Sequence, residues 1–408
     1  MIRKQYKSTG GRLAFVCPAG LAFLLLLLAG PPSGASAERF SCLADSDTCP
    51  LVMIEGDPWH ELPGSVPSPF RGYADPSVRR DPVTGRLWLT YSYLSTHLDP
   101  GPAAGVSIHL ASSDDGGDTW QFRRTLERSR PIVDAEPPFT LGVSVHEVST
   151  LTPTSSGRRR WFGMHFRYFS PLGGEGRHPT SFQLRLRRAA RPTGLGRGPE
   201  QRLAGWLVGE EWRTDVDLSA LAPELGECAA WTEPSLFHQD STLYLVAQCI
   251  VLDRTSLARR PRQEFVGVFA SSGNGPRRGI EWRWLGKLTT WEDARALGAP
   301  VLTQPEVTMA RDGLLRLLVT PKVLQPDERH RGCRALRLES LDPPRLTRTA
   351  AGRPVVTADI RSPDSTGLGP GLCSYDSESS TGILFVRTDI DLEPLDAVFS
   401  LHATGIHP

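Results

Sequence analysis

Three acidic residues recur at the same place in a repeated motif. Asp75 opens Asp75-Pro76-Ser77-Val78, Glu147 opens Glu147-Val148-Ser149-Thr150-Leu151, and Glu233 opens Glu233-Pro234-Ser235-Leu236-Phe237. Gln304 in Gln304-Pro305-Glu306-Val307-Thr308 and Ser374 in Cys373-Ser374-Tyr375-Asp376 hold the corresponding places further on. Carboxyl groups brought close together cannot ionise independently, so one stays protonated while another stays charged. That pair of states suits glycosidic-bond hydrolysis, in which an acid protonates the leaving oxygen and a base activates water on the other face of the sugar. A third carboxylate can tune the acid. The competing reading is loop punctuation, with each acid capping a turn at a strand start.

Chemistry of this kind requires residues far apart in the chain to converge. Each motif is followed by a turn and an apolar strand, such as Asp81-Pro82-Val83-Thr84-Gly85 and then Leu87-Trp88-Leu89-Thr90-Tyr91-Ser92. Further β-like runs lie between these hairpins at 106–111, 181–187, 264–270 and 335–338, and no long stretch keeps a helical period. Four strands in each of five units is the pattern of an all-β, five-bladed β-propeller. A six-bladed sialidase-like propeller and a two-domain β-sandwich are the alternatives. In a propeller the innermost strands surround one axis, so residues 38–408 are expected to form a single domain with its acidic residues at one mouth.

The motifs resemble those of five-bladed glycoside hydrolases of the arabinanase/β-xylosidase type, family 43 and its invertase-like relatives. The likeness rests on Tyr73-Ala74-Asp75-Pro76-Ser77-Val78 and Trp231-Thr232-Glu233-Pro234-Ser235. It implies Asp75 as general base, Glu233 as general acid and Glu147 as modulator. Glu147 departs from the pattern, lying in His146-Glu147-Val148-Ser149, and no Gly follows Glu233. Some relatives carry Ca²⁺ in the channel, but the expectation here is no cofactor and no metal. Ser113-Asp114-Asp115-Gly116-Gly117-Asp118-Thr119-Trp120 resembles the Asp-box of sialidases and related propellers, a hairpin turn expected to be structural. A sialidase-like exoglycosidase, needing an arginine cluster and a Tyr–Glu pair, is one functional alternative. A non-catalytic propeller binding carbohydrate or protein is the other.

Around the acids, Tyr73 and Trp231 offer aromatic faces for a sugar, with ordinary packing as the rival reading. His165 and Arg167 end a strand that would reach the funnel, and Lys322 holds the comparable place in the fourth unit. Arg185, Arg187 and Arg188 read as solvated surface.

The rest of the sequence sets the context. The 408 residues are 39 % hydrophobic and 22 % charged, as expected of a folded chain, and a net charge of +1 gives no broad attraction to nucleic acid. Arg3, Lys4, Lys7 and Arg12 precede an apolar run from Leu13 to Ala29, and Ala35-Ser36-Ala37 offers a cleavage site. This reads as a signal peptide over residues 1–37, with an uncleaved anchor as the alternative. Its removal would leave a net charge of −3 and no membrane span. Cys42, Cys49, Cys228, Cys249, Cys333 and Cys373 then remain, and proximity pairs them as 42–49, 228–249 and 333–373. The expected product is a monomer secreted to the extracellular space or periplasm, acting on a glycan or oligosaccharide.

Overall fold

The computed structural model describes residues 42, 45–57, 70–95, 105–134, 140–154, 160–171, 181–205, 212–271, 279–324, 328–361, 369–392 and 395–408. The expected signal peptide lies outside these residues. Ser36–Pro408 forms one compact unit.

The protein is an all-β propeller whose only described α-helix is Trp291–Ala296. Five hairpins open on the strands Phe70–Arg80, Thr140–Pro153, Cys228–Gln239, Val301–Met309 and Gly369–Ser374, with Arg130–Asp134 added at the edge of the second beside Thr140–Pro153. Each pairs antiparallel with the strand after it, as the hairpin motifs predict. These opening strands pack against one another in sequence, and the fifth packs back on the first. Apolar side chains fill each seam. Trp88, Leu110, Leu151 and Trp161 lie between the first and second sheets. Trp231, Phe265 and Phe269 belong to the cluster joining the second and third. The burial of such clusters is the main favourable term holding the ring together.

The ends of the chain meet in the last sheet. Phe70–Gly72 runs parallel to Ala397–Phe399, so the strand that opens the first sheet also extends the last. Gly72 makes this possible. Its φ is +117°, and a Cβ there would sit 1.9 Å from the Phe399 carbonyl oxygen.

All three cysteine pairs form as proximity suggested. Cys333–Cys373 ties the fourth sheet to the opening strand of the fifth, and Cys228–Cys249 joins neighbouring strands of the third. The turn at 113–120 is built for support. Asp115 accepts the Thr119 N–H at 3.0 Å and the Thr119 hydroxyl at 2.6 Å, and Trp120 is buried beside it.

Candidate active site

Every opening strand carries a one-residue bulge near its middle. At each bulge one non-glycine residue sits in the left-handed region: Asp75, Val148, Glu233, Gln304 and Leu372, with φ between 45° and 53°. Such backbone costs on the order of 1–3 kcal/mol per residue and persists only where its surroundings impose it. A bulge re-aims one side chain out of the alternating pattern of a strand.

This corrects the sequence register in two sheets. The apex of the second is Val148, so Glu147 precedes it by one residue. The apex of the fifth is Leu372, so Ser374 follows it by two. Asp75, Glu233 and Gln304 hold the expected place.

The apices converge. Gln304 Nε2 of the fourth sheet donates to Asp75 Oδ1 of the first at 3.4 Å. The Asp75 carboxyl is buried, and its pKa is pushed up to about 8, first by burial and then by the negative charges of Glu233 and Glu147. Hydrogen bonds from the Ser92 hydroxyl and the Val148 N–H act the other way, favouring the ionised form. Ser92 Oγ also accepts the Val148 N–H at 3.0 Å, linking the first two sheets directly below the acids. Glu147 is therefore within electrostatic reach of Asp75 despite its shifted register, and the Tyr168 hydroxyl donates to its Oε2 at 3.4 Å.

Below this group, toward the ends of the opening strands, lies a second polar tier that sequence reasoning missed. Arg79 and Glu306 form a buried ion pair across the ring, and Arg79 Nη2 also donates to the Val307 carbonyl at 2.9 Å. Ser374 Oγ donates to Glu306 at 2.8 Å. Hydroxyls bind sheet to sheet: Ser374 accepts the Val78 N–H, Thr150 the Leu236 N–H, and Ser235 the Val307 N–H. The Ser or Thr two residues past four of the five apices (Ser77, Thr150, Ser235 and Ser374), with Glu306 at that place in the fourth, was the available signal.

Several expected substrate-binding residues are placed elsewhere. Trp231 is fully buried, edge-on to Phe269 with centroids 4.9 Å apart, and its indole N–H donates to Ser219; it is core. Tyr73 is 3 % exposed and packs edge-on to Tyr91. Burial and then the Asp57 charge push its phenol pKa up. His165 is buried against His146, nitrogen to nitrogen at 3.0 Å, and burial holds both rings well below the usual histidine range. Arg167 lies over the Trp212 ring at 3.8 Å and donates to Ser144. Lys322 is paired with Glu328 at 2.5 Å. Arg185 and Arg187 are not free surface charges, because both pair with Glu200 and Arg187 also pairs with Glu127. Each of these side chains is packed against or paired with other neighbours. Among the described residues no group of three or more His, Cys, Asp or Glu is arranged to hold a metal ion.

Neither a protein-family model nor a curated protein matches the chain. Solved structures similar to it include glycoside hydrolases, among them a thermostable family-43 glycoside hydrolase aligned at 11 % identity and TM-score 0.31 over 73 % of this chain and 96 % of that one. An exo-1,5-alpha-L-arabinanase from a bovine ruminal metagenomic library aligns at 12 % identity and TM-score 0.39, over 81 % of this chain and 91 % of that one. An alpha-L-arabinofuranosidase from Lactobacillus brevis aligns at 13 % and 0.43, over 82 % and 91 %. A xylan beta-1,4-xylosidase from Bacillus halodurans C-125 aligns at 14 % and 0.43, over 82 % of this chain and 55 % of that one. The carboxyl geometry, not this likeness, carries the functional reading.

Proposed function

We propose that the protein is a secreted glycoside hydrolase acting on a glycan or oligosaccharide by inversion. The observation that carries this reading is the burial of Asp75 at an apex where the charges of Glu233 and Glu147 both act on it. Structural carboxylates are ordinarily paired with cations; mutual repulsion is retained where a proton must be moved.

Asp75 is raised first by burial and then by the charges of Glu233 and Glu147, so its protonation depends on theirs. A proton on Glu233 removes the larger of the two charges that hold Asp75 protonated, and Asp75 then ionises more readily. The donors from Ser92, Gln304 and Val148 favour that state. In it Glu233 gives its proton to the glycosidic oxygen while Asp75 draws a proton from water on the opposite face of the sugar. The O–H bond of water breaks, its oxygen bonds the anomeric carbon as the glycosidic C–O bond on the opposite face breaks, and the aglycone leaves as an alcohol while the configuration at the anomeric carbon inverts. Glu147 is the modulator, raising the proton affinity of the group. Export through residues 1–37 and a monomeric state complete the reading.

The test is a screen of arabinan-, xylan- and mannan-derived oligosaccharides with wild type and Glu233→Gln. The expected result is hydrolysis of at least one substrate by wild type and a loss of ~10²–10⁴ in kcat for the variant, the range for removing a general acid. NMR of the first product formed should show the anomer opposite to the substrate. Equal turnover by both proteins overturns the proposal, and retained stereochemistry overturns inversion.

A further inference from the structure

The face of the second sheet turned toward the first gathers four arginines, and only two of them are paired. Arg185 and Arg187 share Glu200, and Arg187 also meets Glu127. Arg130 and Arg167 form no ion pair among the described residues. Arg167 gives its Nε to the Ser144 hydroxyl at 2.7 Å and reaches Gln183 Oε1 through Nη1 at 3.5 Å, while its Nη2 makes no hydrogen bond among the described residues. Arg130 stands directly across from Ser144 on the neighbouring strand, with Cα atoms about 5 Å apart. Residues opposite one another share a face of the sheet, so Arg130 and Arg167 flank the same hydroxyl.

The place of this pair in the fold gives it access to the acids. The strand Arg130–Asp134 lies on the edge of Thr140–Pro153 that is turned away from Trp161–Pro171, which is the axis side, and it pairs only upstream of the Val148 apex. Ser144 precedes Glu147 by three residues, about 10 Å of extended chain on the mouth side of the acids. Arg130 is exposed there and Arg167 is half-buried. Trp212 covers one face of the Arg167 guanidinium at 3.8 Å, which fixes its plane and leaves its edge as the donor surface. Burial, and then the charges of Arg185 and Arg130, push the Arg167 pKa down to about 10. His146, on the same face as Ser144, contributes no compensating charge. A half-buried guanidinium held beside like charges lacks the partner that such groups ordinarily have, and a bound oxyanion would supply it.

We infer that Arg130 and Arg167, joined through Ser144, form an oxyanion subsite at the mouth of the ring. Its ligand is an oxyanion able to accept from both guanidiniums: a carboxylate carried by an acidic glycan, or a free phosphate ion. In the glycan case the inference rests on the hydrolase reading and names its substrate class, because a uronate held at the rim places a neighbouring glycosidic bond at Asp75 and Glu233.

Calorimetric titration of the intact protein tests the inference, using trigalacturonate, the same trisaccharide with its carboxyls reduced to alcohols, and sodium phosphate. To keep binding separate from turnover, the titration is run in both wild type and Glu233→Gln. At least one of the two anions should bind both proteins at least about tenfold more tightly than the reduced trisaccharide, the worth of one charge-assisted contact. Arg130→Ala, at an exposed position, should weaken that anion about tenfold, and Arg130→Glu should weaken it further. Trigalacturonate bound without phosphate assigns the oxyanion to the glycan, phosphate bound without trigalacturonate assigns it to the free ion, and two anions that both bind should compete. Binding of neither anion above the reduced trisaccharide, or an affinity unchanged in Arg130→Glu, would overturn the subsite. Absence of hydrolysis in wild type with anion binding intact bears only on the proposed function, whereas hydrolysis without anion binding removes the subsite and leaves that function standing.

Discussion

Two tiers of buried charge occupy the ring, and they are handled in opposite ways. In the lower tier Glu306 is given a guanidinium, Arg79, and a hydroxyl, Ser374. Burial raises its pKa, while Arg79 and then Ser374 oppose that rise. In the upper tier the charges acting on Asp75 are those of other carboxylates, Glu233 and Glu147, and its pKa climbs to about 8. The lower pair is a closed arrangement that orients three sheets. The upper group stays poised between protonation states, the condition for exchanging a proton with a substrate.

Substitutions in the two tiers should separate stability from turnover. The largest effect on stability is expected for Arg79→Met, which leaves Glu306 buried without its cation at a cost of about 3–5 kcal/mol. Urea denaturation should show that loss, while kcat of the folded fraction stays within about threefold of wild type. The double variant Arg79→Met/Glu306→Leu should recover much of the stability, since a buried pair is often replaceable by apolar side chains.

Smaller shifts sharpen the picture of the upper tier. Glu147→Gln removes a negative charge that raises the Asp75 pKa, so the acid limb of the kcat/KM profile should move to lower pH, by up to about one unit. Ser92→Ala removes a donor that favours the ionised form, so the same limb should move to higher pH. Shifts of the same sign in both variants would break the assignment of Asp75 to that limb. The smallest effect is expected at Trp231→Phe. Loss of the indole hydrogen bond to Ser219 should lower stability by about 1 kcal/mol with KM unchanged, because the side chain is core.

The two tiers also differ in how far the sequence disclosed them. Asp75, Glu233 and Gln304 were placed correctly because a proline follows each and marks the register. The second and fifth sheets have Ser149 and Cys373 there, and without that marker the alignment slipped by one residue at Glu147 and by two at Ser374. The hairpins and the cysteine pairs are local or near-local features, and they were legible. The Arg79–Glu306 pair spans 227 positions, so nothing in either motif shows that the ring brings the two together. Trp231 misled for a related reason. It adjoins Thr232 and lies two residues before an apex, yet its side chain falls on the face packed against Phe265 and Phe269.

The most direct measurement follows thermal stability and turnover of Asp75→Asn across pH. The folded-state pKa near 8 stands above the unfolded value of about 3.9. Below pH 4 the carboxyl is protonated in both states and destabilises neither. As pH rises from 4 to 8 the unfolded chain releases its proton first, and wild-type stability falls relative to the variant. Asp75→Asn should therefore melt progressively higher than wild type between pH 5 and pH 8 while losing nearly all hydrolysis. A constant difference in melting temperature at every pH, or retained turnover, would contradict a proton-holding acid at the mouth of the ring.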